Sequence, residues 1–131
     1  MIPKVNWRNI PITLITMRFE VKLGNQIVGF SELEGGDAAM GVAVGRFFPT
    51  PAYGSIQPYC INHRDHWIPI PELTVGLAGG SPIQCSGGIQ IVDLSPELGE
   101  AGIQIHLNGV TDPPYGELFP QHVEAYKEQF R

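Results

Sequence analysis

Basic residues are scarce in this sequence. Eight Lys and Arg stand singly against thirteen Asp and Glu, for a formal charge of −5. Nucleic-acid binding draws most of its affinity from clustered Lys and Arg that neutralise phosphates, so no nucleic-acid partner is expected, and a basic partner fits better than an acidic one. Cysteine is rarer still: Cys60 and Cys85 are the two in the chain. They are too few for a disulfide framework and give no sign of an oxidising compartment, although sequence leaves a single bridge between them open. The simplest expectation is two free, partly buried thiols. Long hydrophobic runs are also missing. No stretch approaches the roughly 20 apolar residues that span a bilayer, so no membrane partner is expected. Ile10 to Thr16, behind Lys4 and Arg8, is broken by Pro11 and has no small-residue cleavage site before Arg18. A cytoplasmic location is the resulting expectation.

What is plentiful is glycine and proline, 16 and 12 in 131 residues, against 16% charged residues. That mixture describes many short elements with tight connections and excludes a helical bundle or a disordered chain. A chain of this length buries roughly two thirds of its unfolded surface, enough to fold without a metal or a disulfide.

The clearest pattern is a repeat. Gly-Ile-Gln-Ile occurs at 88–91 and again at 102–105. In the second copy Ile103, Ile105 and Leu107 alternate with Gln104, His106 and Asn108; in the first, Ile89 and Ile91 flank Gln90. Each copy reads as a strand with one face for a core and one for water, and the two as an antiparallel pair. Asp93 to Gly99 between them holds a proline and a glycine suited to a turn.

Elsewhere the alternation from Met17 to Leu23 is strict, and Gly24-Asn25 suits the positive φ angles of a tight hairpin into Gln26–Leu33. Ala39 to Phe48 sets Val42 and Val44 opposite small residues, as in an extended segment lying close to another backbone. Thr50 and Pro51 look like the start of a short helix over about 51–58, with Pro58 limiting it. Trp67 to Pro71 should be extended, and Leu73 to Leu77 a strand. At the C-terminus Phe119, Val123, Tyr126 and Phe130 are spaced 4, 3 and 4, an apolar stripe for a helix from about Pro120 that lies on the sheet. The predicted class is α+β, mainly an antiparallel sheet of five to seven strands, with that C-terminal helix and the short one near 51–58. Residues 1–16 are expected to be an N-terminal extension, partly ordered at best, and 17–131 a single globular domain.

Three groups of residues carry candidate chemistry. Carboxylates gather in connections: Glu32, Glu34 and Asp37 in one, Asp93, Glu97 and Glu100 in another. Loops on a rigid sheet commonly carry recognition, and a negative patch steers a positive partner toward it. Tyr53, Tyr59, His63, His66 and Trp67 fall within 47–67 and could line an apolar pocket with a few polar groups. Cys60, His63 and His66, with Cys85 from elsewhere, are the weak candidates for a zinc site, but the second ligand pair of a zinc motif is missing, so no metal and no cofactor is expected. The glycines at 35, 36, 41, 45, 76, 79 and 80 lack the Lys-Ser or Lys-Thr of a phosphate loop and are read as turns. His106 and His122 are read as solvated.

The favoured function is therefore a non-catalytic protein-interaction domain of an acidic, bacterial-type cytosolic protein using those carboxylates. One concrete form is an immunity protein that blocks a basic toxin such as a nuclease. The chain is similar to such proteins in size, acidity and lack of motifs, and no motif ties it to a family. The alternative is a small enzyme or ligand-binding protein with the 47–67 pocket. A homodimer paired through strands at a sheet edge is a third expectation.

Overall fold

Phe19 and Val21 are buried while Glu20 and Lys22 point away, and this alternation makes β1 (Phe19–Leu23). In the computed structural model of the chain, which describes residues 18–66 and 69–130, Gly24 adopts a φ of +61° and turns the chain into β2 (Gln26–Ser31), antiparallel to β1. That is the left-handed geometry the hairpin loop requires. The remaining strands are β3 (Gly35–Asp37), β4 (Val42–Arg46), β5 (Phe48–Pro49), β6 (Leu73–Leu77), β7 (Gln84–Asp93) and β8 (Ile103–Asp112). The helices are α1 (Gln57–Asn62), α2 (Ser95–Leu98), α3 (Tyr115–Leu118) and α4 (Pro120–Glu128).

The eight described strands form two antiparallel sheets of four, ordered β5-β2-β1-β6 and β3-β4-β8-β7. The architecture is mixed α+β and mainly sheet. The eight strands exceed the expected five to seven because β3 and β5, of three and two residues, are too short to show a period of two. The expected N-terminal extension, residues 1–16, lies outside the described residues, as do Trp67 and Ile68.

The twin tetrapeptides do pair. Ile91 lies opposite Ile105 and Ile89 opposite Leu107 across β7 and β8, with Ile103 opposite Asp93. Ile89, Ile91, Ile103, Ile105 and Leu107 join Phe19, Val21, Val28, Leu73 and Val75 of the other sheet in one buried cluster, completed by Phe47, Tyr53, Cys60 and Phe119. Burying side chains of this size contributes about 1.5–3 kcal/mol each, so the pair anchors the fold. The far face of the pair is drier than its pattern implies. Gln90 is buried, because His66 and Ile70 lie against it and its neighbour: the Gln90 amide donates to the His66 carbonyl at 2.5 Å and the Ile70 N–H to the Ile89 carbonyl at 2.9 Å. A similar contact, Ile83 N–H to the Val75 carbonyl at 2.8 Å, covers the outer side of β6.

The chain passes between the sheets three times, through 32–34, at Phe47 and through 78–83, and the first two crossings are tight. A Cβ on Gly45 would meet Ser31 Oγ and stand 2.7 Å from Leu33 Cα, and one on Gly29 would enter the Phe47 ring. The small residues of the 39–48 stretch are thus where another backbone passes close by.

The helix expected over about 51–58 comes in two pieces, a 3-10 turn at Pro51–Ser55 and then α1. Pro58 falls in the first turn of α1, where its missing N–H costs nothing, so the helix continues beyond it. Thr50 makes no side-chain cap; its hydroxyl donates to the Ile27 carbonyl at 2.7 Å. At the other end α4 starts at Pro120 as its sequence suggests, but of the apolar stripe only Phe119 is fully buried, and Phe130 is 74% exposed.

Candidate functional site

Asp93 ends β7 on the same side as Ile91 and Ile89, so its carboxylate points into the molecule and has no exposed surface. An ion there is tolerable only with partners. Tyr53 Oη donates to Oδ2 at 2.6 Å, the Gln57 amide to the same oxygen at 3.2 Å, and the Ser95 N–H to Oδ1 at 2.8 Å. Burial pushes the Asp93 carboxyl up, and the bonds from Ser95, Tyr53 and Gln57 outweigh it, so the group ends below the ordinary carboxylate range. The Tyr53 phenol is driven far above its usual value by burial and then by its bond to Asp93. Cys60, buried beside them, is pushed up to about 11 by the same desolvation.

This cluster corrects two expectations. Asp93 is not a surface carboxylate for a partner; it is a core residue that ties the 51–55 turn, α1 and α2 to the end of β7. Tyr53, expected to line a pocket, belongs to the buried core and does not wall an open cleft. Of the other residues expected in a 47–67 pocket, Tyr59 is 40% exposed and stacks on His63 at 4.0 Å, and His66 faces solvent. Trp67 lies outside the described residues. Nor do the weak zinc candidates converge: Cys60 is in the core, Cys85 is half-buried on β7 with its thiol pushed up to about 11 by burial, and both are free. Among the described residues no cluster of three or more His, Cys, Asp and Glu is placed to hold a metal ion.

The remaining carboxylates sort by register. Arg46, the last residue of β4, pairs with Gln104, and Ile103 pairs with Asp93, so the 94–102 connection sits at the same end of the second sheet as Arg46. Glu34 reaches that end too, its Oε1 accepting the Arg46 N–H at 2.7 Å. Glu32, Glu34, Glu97 and Glu100 are all exposed. Arg64 reaches Glu97 at 2.7 Å and, by that hydrogen bond, holds its carboxyl below the usual range. Asp37 does not belong here: it pairs with Val42 toward the other end, and its Oδ1 accepts the N–H groups of Ala39 and Met40 in the β3–β4 turn.

Beside Glu32 lies a surface that sequence reading passed over. Phe30 and Phe48 are cross-strand neighbours on β2 and β5. The Arg18 guanidinium lies 4.1 Å above the Phe30 ring and that of Arg46 lies 4.7 Å above Phe48. Phe48 is 39% exposed, and with Arg18, Ser31 and Glu32 it lines a shallow depression of about 160 Å³. The available signal was the chain pattern Arg46-Phe47-Phe48, in which one aromatic of a pair must face out if the other faces in.

Two histidines read as solvated are not. His106 is half-buried and its pKa is lowered by desolvation. His122 is 7% exposed, packed face to face on Phe119 with ring centres 4.9 Å apart.

No protein-family model, curated protein or solved structure matches this chain.

Proposed function

We propose that this chain is a non-catalytic protein-interaction domain that meets a basic protein partner, an immunity protein holding a basic toxin in the cytoplasm being one concrete form. The observation that carries the reading is the continuous surface at Glu32 and Glu34, where exposed carboxylates adjoin the Phe30–Phe48 pair and its two stacked arginines. Aromatic and arginine side chains are the types enriched at the centres of protein interfaces. The surrounding carboxylates, with Glu97 and Glu100 at the same end of the second sheet, give the negative potential that speeds approach of a positive partner. The thiols, by contrast, are buried or half-buried and pushed up to about 11, far from the thiolate form a nucleophile needs.

The test is retention of lysate proteins on the immobilised chain, comparing wild type with Phe48→Ala and with the fourfold variant Glu32→Gln, Glu34→Gln, Glu97→Gln, Glu100→Gln. A basic protein held by wild type at low salt, released at high salt and lost from both variants supports the reading. Equal retention by all three, or none by wild type at low salt, defeats it.

A further inference from the structure

Among the described residues the C-terminal helices meet the body of the molecule through Tyr115, Leu118, Phe119 and His122. Phe119 and His122 are buried, Val123 is half-buried, and every residue from Glu124 to Phe130 is exposed. His122 Nδ1 lies 2.7 Å from Tyr115 Oη, and that hydroxyl is also 2.8 Å from the Val42 carbonyl. A phenol has one proton, and the carbonyl can only accept it. His122 Nδ1 must therefore carry the imidazole proton and donate to Tyr115, which leaves Nε2 as a bare lone pair. Nε2 is buried and has no hydrogen-bond partner among the described residues. Gly36 of β3 makes room for the arrangement, since a Cβ there would stand 3.0 Å from Nδ1.

We propose that this contact is a pH-sensitive latch: neutral His122 docks α3 and α4 on β3, and a second proton taken up at Nε2 favours their release. The groups facing the ring are Tyr115 from α3, the backbone carbonyls of Leu33 and Glu34 before β3, and the Glu34 carboxylate; Asp37 of β3 acts on Tyr115. The Leu33 and Glu34 groups favour a charged ring, but burial outweighs them and the pKa of the docked ring lies below that of a free one. Below about pH 6.5, where a free imidazole charges, the undocked state therefore binds more protons than the docked state. The docked form loses ground as pH falls through that point, by up to about tenfold in the open-to-docked ratio per pH unit until the docked ring itself titrates. Release would also take Phe119 off Phe19, against which its ring packs at 5.7 Å.

Amide hydrogen exchange at His122 and Val123, whose N–H groups both donate to the Phe119 carbonyl, reads the latch directly. Wild type should show an opening ratio, corrected for intrinsic exchange, that is higher at pH 5 than at pH 7.5, by a factor of up to about thirty. His122→Asn, whose amide still donates to Tyr115 but does not titrate, should show no such rise. In Tyr115→Phe the ring is free to carry its proton on Nε2 toward the carbonyls, and the rise should shrink. A flat response in wild type, the same rise in all three proteins, or nitrogen-15 shifts showing Nε2–H in the neutral wild-type ring would each overturn the proposal.

Discussion

Asp93 stays charged inside the core because three donors from separate segments converge on it, and removing one exposes the cost. Tyr53→Phe is expected to lower stability in a urea titration by about 1–3 kcal/mol, since it strips a buried carboxylate of a donor without removing the ring. The pH response follows from the direction of the shift. The folded pKa lies below the unfolded one, so the unfolded chain binds the extra proton, and the contribution is present above about pH 4 and lost as pH falls below it. Asp93→Asn should therefore unfold over a flatter acid limb than wild type when followed by circular dichroism, and an identical limb would show that the carboxylate is not held charged in the fold. The inward position of Asp93 continues the alternation of Ile89 and Ile91, but its partners were not legible from the residue itself. Asp93 looks like its neighbours Glu97 and Glu100 in the sequence, and its role is decided by Tyr53 and Gln57, 40 and 36 positions away.

Whole elements were easier to read where a period ran for several residues. The β1–β2 hairpin and the β7–β8 pair follow directly from alternation and turn residues, because each has a core face long enough to count. The C-terminal helix shows the opposite case. Its sequence offers an apolar stripe through Val123, Tyr126 and Phe130, yet the stripe that packs is Tyr115, Phe119 and His122, which runs across the join between α3 and α4 and includes two polar side chains. Hydrophobicity alone favoured the first stripe; a hydrogen bond between the polar members made the second one buriable. The two stripes predict different mutational costs. Phe119→Ala should destabilise by about 3–5 kcal/mol in a denaturant titration, and Phe130→Ala by no more than about 0.5 kcal/mol. Similar costs at the two positions would mean that the outer half of α4 is packed after all.

At the scale of the molecule, two sheets share one core, and two of the three changes of sheet run where Gly29 and Gly45 leave space. Gly29→Ala would force a methyl group into the Phe47 ring, and a loss of about 1–3 kcal/mol, read as a lower thermal midpoint, is expected. The division into two layers was hidden because the glycines that make room for the close crossings sit inside β2 and β4, and a residue chosen for what it lacks leaves no periodic trace. The acidic character was fully visible in composition, whereas the Phe30–Phe48 pair beneath it depends on strand register that only the folded chain supplies. Those two vacant positions also bear on how descent would be read. Were divergent sequences with this architecture lined up, columns 29 and 45 should stay glycine while the exposed carboxylates drift, and that constancy would record geometry, telling nothing about activity.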